Sequence, residues 1–193
     1  MNAKAVEWHR MLMSNPERAD QCDWDLIRKE WSGDFGRWYW DVLLMHYPQF
    51  ADYCDWSAFD ATDIGWILGS QPSLWKHVDL AHVNGDIVVG VAASVPECLE
   101  KCDTGRFTSR DWVALLRRRP EFRNRCDFTG FTGTDWVALL IERKEFSDVC
   151  DWTKLTLENW QELLFCKPEF RSQLESKTTF SYEECRVDEF EPF

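Results

Sequence analysis

Apolar side chains recur along this chain with a helical spacing. Trp112, Leu115 and Leu116 stand at i, i+3 and i+4, and the pattern Asp-Trp-x-x-Leu-Leu returns from Asp135 and, with asparagine in first place, from Asn159. Such a stripe puts three apolar groups on one face of a helix. A start signal precedes each stripe. Thr108 with Asp111, Thr132 with Asp135 and Thr156 with Asn159 pair a hydroxyl N-cap with a side chain at the third helical position, and Phe107, Phe131 and Leu155 supply the apolar residue before the cap. Asp60 and Asn84 read as caps of earlier helices, and Gly36 as an acceptable one. Pro120 stops the helix that follows Thr108, because the residue before a proline is driven out of the α region. The same proline suits the first turn of a second short helix, from which Phe122 faces inward. The pattern therefore predicts short helix pairs, each closed by a Cys-Asp-aromatic turn. Neither helix exceeds about ten residues, so packing against neighbours must supply the stability.

The pairs repeat. Pro48, Pro72, Pro96, Pro120 and Pro168 fall on a 24-residue register in which Lys144 takes the missing place. Cys54, Val78, Cys102, Cys126, Cys150 and Leu174 form a second column, followed directly by Asp55, Asp79, Asp103, Asp127, Asp151 and Glu175. Cys22 precedes Cys54 by 32 residues, eight more than the period, which places an insertion near residues 28–36. Self-similarity at such a period is the mark of stacked supersecondary units. The expected fold is all-α, a solenoid-like stack of about seven 24-residue helix-turn-helix repeats in a single domain over residues 1–174. Residues 175–193 are expected to form an acidic-aromatic cap or tail. A leucine-rich-repeat-like solenoid is the alternative at this period, although "DWVALLRRRPEF" lacks the alternating leucines of its strand.

The register changes how the chemistry-bearing residues are read. Of the twelve tryptophans, Trp8, Trp40, Trp112, Trp136 and Trp160 occupy one column, and Trp24, Trp56 and Trp152 another. These read as core. Trp31, Trp38, Trp66 and Trp75 fall outside both columns and are candidates for exposed, partner-binding positions. In stacked helices ~8–10 Å apart, thiols of one column cannot bridge or share a zinc ion, which needs sulfur at ~2.3 Å. Cys98 and Cys102 alone are close enough in sequence to clip a metal, and no histidine accompanies them, so neither metal nor cofactor is expected. The four histidines sit at unrelated repeat positions, no phosphate-cradling loop appears, and the aspartate column reads as turn and cap acceptors. No enzyme is expected. Residues 78–98 form an atypical repeat in which the Trp-Leu-Leu face becomes Val88, Val91 and Ala92. That thinning opens a groove, bends the stack or is absorbed by its neighbours.

Charge narrows the partner. The formal net charge is −12, which argues against direct nucleic-acid binding because phosphate neutralisation needs a Lys/Arg surplus. Residues 101–125 run the other way, with eight basic residues against three acids. Arg106, Arg110, Arg117, Arg118, Arg119 and Arg123 are candidates for a charge-complementary docking patch. Glu183, Glu184, Asp188, Glu189 and Phe190 mark the acidic-aromatic tail as another. No apolar run approaches the ~20 residues of a membrane span, and the first twelve residues lack the apolar core of a signal peptide, so a cytoplasmic protein with reduced thiols is expected.

The consensus Phe-x-x-x-Cys-Asp-Trp-x-x-Leu-x-x-x-Asp-Trp-x-x-Leu-Leu-x-x-x-Pro resembles the Cys-Asp-Trp tandem repeats of bacterial and phage-related proteins, most closely over residues 48–59 and 107–170. The resemblance implies a repeat scaffold and brings no catalytic residues. Together these features lead to the expectation of a non-enzymatic helical-repeat protein that binds a partner protein with a basic surface patch, as a stand-alone inhibitor or immunity-type factor. An acidic nucleic-acid mimic that blocks a basic nuclease channel is the alternative.

Overall fold

The structure, a computed structural model, describes residues 2–185, with Asp34 described by its backbone alone. Every regular element among the described residues is helical. The strand that a leucine-rich-repeat-like solenoid requires is absent among them. The chain divides after Arg106 into two compact units.

The first unit holds α1 (Ala3–Ser14), α2 (Trp24–Glu30), α3 (Asp34–His46), α4 (Ala61–Ser70) and α5 (Gly85–Ser94). The second holds α6 (Ser109–Arg118), α7 (Gly133–Glu142), α8 (Leu157–Cys166), α9 (Arg171–Lys177) and α10 (Tyr182–Cys185). From α4 to α8 each α-helix starts 24 residues after the last. Within the first unit α3 packs on α1 and α4, and α4 on α5; within the second, α7 packs on α6 and α8. The partner element of each pair is a 3-10 helix, such as Pro72–His77 or Pro120–Arg125, and a shorter 3-10 turn such as Trp56–Ala58 or Phe128–Gly130 follows the Cys-Asp step. Six residues led by proline are too few for an α ladder, so the tighter i→i+3 bonds satisfy the backbone instead.

The caps follow the predicted chemistry. Reciprocal capping boxes close the starts of α4 (Asp60 and Asp63), α6 (Thr108 and Asp111), α7 (Thr132 and Asp135) and α8 (Thr156 and Asn159). Two starts depart from it. Asn84 sits at the N-cap of α5 but makes no side-chain cap bond, and Ile87 at the third position cannot return one. The cap of α3 is Gly33, not Gly36. Gly36 serves a different need: a Cβ there would lie 2.3 Å from the Trp31 Cα, so only hydrogen lets α3 press on the preceding turn.

The cores are built from the columns. Trp8, Trp40, Trp112, Trp136 and Trp160 are all buried, each removing roughly 150–250 Å² from water. Rings of the second column stack on them: Trp24 on Trp40 at 6.1 Å, Phe128 on Trp136 at 5.3 Å and Trp152 on Trp160 at 5.3 Å between centroids, all within 21° of parallel. The eight cysteines are free of disulfides. Burial pushes the thiols of Cys126 and Cys150 up to about 12, with the carboxylates of Asp127 and Asp151 adding to it.

Polar ties join successive layers. The residue just after a helix reaches back to the next-to-last carbonyl of the helix before it: Tyr47 Oη donates to Met13 O at 3.0 Å, Gln71 Nε2 to Met45 O at 2.8 Å and Arg143 Nε to Arg117 O at 2.7 Å. A second tie runs from the end of the short 3-10 turn to the residue before the preceding cap. Arg106 donates to Val83 O at 2.6 Å and Lys154 Nζ to Phe131 O at 2.9 Å. Each tie satisfies a carbonyl that a helix end or turn would otherwise leave to water.

Candidate functional site

The joint between α4 and α5 breaks these rules together. Val95 stands where Gln71 and Arg143 stand in other layers, and it has no donor for the Gly69 carbonyl. His82 stands where Arg106 and Lys154 stand, and its Nδ1 lies 2.8 Å from Asp79 Oδ2 on its own turn. The uncapped start of α5 is on the same joint. A polar contact remaining across it is His77 Nδ1 to Asp52 Oδ1 at 3.7 Å.

Where the ties are missing, the surface opens. A cleft of about 440 Å³ is lined by Trp56, Ser57, Phe59, Ala61 and Ile64 from one layer and His77, Val78, Asp79, His82 and Val83 from the next. A shallower groove of about 370 Å³ lies along the same pair of helices, lined by Ala61, Thr62, Gly65, Trp66, Asn84 and Ile87. Three of the cleft's polar groups are already engaged. Ser57 Oγ donates to Asp55 Oδ1 at 2.6 Å, Asp79 Oδ1 accepts from the Ala81 N–H at 3.0 Å, and Trp56 Nε1 donates to Ala51 O at 3.0 Å. The Ala81 N–H and the His82 ring hold the Asp79 carboxyl below its ordinary range, so it stays ionised. Val78, Asp79, His82 and Val83 of the atypical repeat line the cleft, whereas Val88, Val91 and Ala92 of its thinned face do not. On its other side the 3-10 helix carrying buried Trp75 contacts α5.

The four off-column tryptophans separate. Trp38 and Trp66 are 57% and 67% exposed, whereas Trp31 and Trp75 are 0% and 5% exposed and belong to the core. Trp31 is buried because the insertion folds into α2 and its C-terminal turn, which sets the indole against Tyr39 at 5.5 Å and Trp40 at 5.1 Å. Phe35, 88% exposed on α3, is an aromatic that sequence reasoning passed over because the misplaced cap assigned it to the turn.

The arginine run is mostly engaged in packing. Arg117 pairs with Glu142, Arg119 Nε lies 3.5 Å from Glu121, and Arg123 lies 2.9 Å from Asp148 with its guanidinium 5.4 Å from the Phe146 ring centre. Arg106 is the tie to Val83 O. Burial raises the Asp135 carboxyl, but the Thr132 hydrogen bonds, Ser109 and neighbouring Arg110 outweigh it and hold it low. Arg118 is exposed. In the tail, Glu184 caps α10 by accepting from Ser181 N at 2.7 Å and Oγ at 2.8 Å, and Glu183 is exposed. Asp188, Glu189 and Phe190 lie outside the described residues.

Asp41 gave no signal in sequence. It occupies the column of Gly65, Val89, Val113 and Val137, and burial, aided by the Asp63 charge and opposed by Arg37, raises its carboxyl to about 6. Cys98 lies in the 3-10 helix Pro96–Lys101 and Cys102 caps its end, the Cys102 thiol donating to the Cys98 carbonyl at 3.0 Å. Among the described residues no three His, Cys, Asp or Glu side chains gather as a metal site, and no helix is long and apolar enough to cross a membrane.

Taken together these features define, over the described residues, an all-α protein with an open, aromatic-lined joint between α4 and α5. Comparison with protein-family models, curated proteins and solved structures finds no match.

Proposed function

We infer that the chain is a non-enzymatic scaffold of about seven solenoid-type 24-residue repeats that binds a partner protein, as a stand-alone inhibitor or immunity-type factor. The α4–α5 joint carries the reading. It combines a cleft, an exposed indole at Trp66 and missing layer ties, whereas the α6–α7 and α7–α8 joints have a polar tie each. Large exposed aromatics are costly in water and mark docking positions, and aromatic anchors dominate binding energy where they are desolvated on contact. The repeat reading draws on the 24-residue recurrence of helix starts, caps and ties. The acidity of the chain favours a partner with a basic face.

Capture from a lysate of the native host with wild-type protein and a Trp66→Ser variant tests this. A protein held by the wild type and lost at least tenfold with the variant, at unchanged thermal midpoint, is the expected result. Equal capture by both overturns the assignment of this face. Retention in 1 M salt separates apolar docking from the acidic-mimic alternative, whose binding collapses under screening.

A further inference from the structure

The cleft lacks one ring of a stack that is complete around Trp24. Trp24 is held between two rings, Trp40 at 6.1 Å and 19° on one side and Tyr53 at 4.1 Å and 17° on the other. Trp56 is the next tryptophan of that column, and His77, in the register of Tyr53, stacks on it at 5.6 Å and 15°. The opposite place is empty of an aromatic. Trp136 and Trp160 follow their stacking partners Phe128 and Trp152 by eight residues, and eight residues after Trp56 stands Ile64. Phe59 meets Trp56 at 51°, a tilted contact that does not cover its face. Trp56 is half-buried, as Trp24 is, and it lines the 440 Å³ cleft with Ile64.

The chemistry of the lining selects the occupant. The Ser57 O–H and the Trp56 N–H already donate within the chain, so neither offers a sugar or a nucleobase edge a donor. A flat ring needs none, and gains offset stacking beyond its burial. The rim is acidic: the Asp52 and Asp79 side chains are 85% and 70% exposed, and Asp55 and Asp60 are exposed beside them. Two nearby cations are committed, Arg106 to the Val83 carbonyl and Arg37 to Asp60 and Asp63, while Lys76 is exposed.

We propose that this cleft receives an aromatic side chain of a partner protein, carried on a segment with basic residues beside it, which completes the Trp56 stack. The proposal rests on the reading of the chain as a partner-binding scaffold and names the anchor that the partner supplies. The full ¹⁵N-labelled chain titrated with the capped tripeptides Lys-Trp-Lys, Lys-Leu-Lys and Glu-Trp-Glu tests it. Lys-Trp-Lys is expected to shift the Ser57 and Ala81 amides and the Trp56 indole N–H saturably, with the other two at least fivefold weaker. Ile64→Trp, which refills the stack from within, is expected to weaken Lys-Trp-Lys at least tenfold. Asp52→Lys, at a side chain 85% exposed on the rim, is expected to weaken it at least threefold. No saturable shift up to millimolar peptide, equal response to the leucine peptide, or an unchanged affinity in Asp52→Lys overturns the assignment. If the peptides fail while Trp66 still governs partner capture, the cleft assignment falls alone; if capture is also indifferent to Trp66, the scaffold reading falls with it.

Discussion

A Cβ added to Gly133 would sit 2.1 Å from Asn159 Oδ1 and 2.5 Å from the Lys154 carbonyl, so the first turn of α7 approaches α8 only because this side chain is a hydrogen. Gly130, three residues earlier, has open space at the same place. Gly133→Ala is therefore expected to lower stability by about 1–3 kcal/mol through overpacking, and Gly130→Ala to leave the urea midpoint nearly unchanged; equal midpoints for the two would remove the close-approach argument. Thr132→Ala, which deletes the hydroxyl bonded to the Asp135 N–H at 3.2 Å, should cost about 1 kcal/mol. At this scale the sequence was most readable where a residue acts on its own neighbours. A Thr-x-x-Asp cap is local chemistry, so Thr108, Thr132 and Thr156 could be assigned from spacing alone. The burial of Trp31 and Trp75 depends on what lies opposite, an inserted turn in one case and a thinned helix in the other, and no local pattern carries that. Gly36 misled for the same reason, being small to fit against the Trp31 backbone rather than to start a helix.

Between elements, stability is set by which layers are tied. A tyrosine, a glutamine and an arginine perform one task at residues 47, 71 and 143, donating to a carbonyl near the end of the preceding helix. An arginine and a lysine perform another at residues 106 and 154. The column is invisible to a search for conserved letters, because reach and a donor are what it requires and several side chains supply both. Val95 and His82 are then failures of function within a legible register, and they fall on one joint. Restoring a donor should close it. Val95→Gln, aimed at the Gly69 carbonyl, and His82→Lys, aimed at the Phe59 carbonyl, should each stabilise by about 0.5–1.5 kcal/mol, the net worth of one hydrogen bond. The same changes should slow amide exchange along α5 relative to α7. Exchange in α5 that is already as slow as in α7 in the wild type, or that neither substitution alters, would mean the joint is held by packing alone. The position of the cleft was readable to the extent that the thin repeat at residues 78–98 was; its lining was not, since half of it comes from the layer before.

For the whole molecule the titrating groups pull in opposite directions, and their signs fix the shape of the stability curve. Cap carboxylates such as Asp60, Asp127 and Asp151 have folded pKa values below their ordinary one, because backbone and hydroxyl groups donate to the ionised form. A depressed pKa gives stability that is present above the unfolded value and lost as pH falls through the folded one. The acid limb therefore lies below about pH 4. Asp41 acts the other way. With its carboxyl raised to about 6 by burial, the folded state holds the proton that the unfolded chain releases near 3.8, so stability declines as pH rises between those values. Above pH 9 the buried thiols repeat this sign, since Cys98, Cys126 and Cys150 are pushed up to about 12 and stay protonated while an unfolded chain ionises. A formal net charge of −12 at pH 7 adds self-repulsion on the same side. The thermal midpoint should therefore be highest near pH 4.5–5, fall toward pH 6.5, and fall again above pH 9. Asp41→Asn should remove the first decline, raising the midpoint at pH 7.5 but not at pH 4, because an amide carries no charge to bury at either pH. Buried His9, whose pKa is lowered by desolvation, gains stability as pH rises toward 6.5 and so opposes Asp41 there, which leaves the variant as the decisive comparison: an Asp41→Asn gain of equal size at both pH values would show that Asp41 does not set the decline.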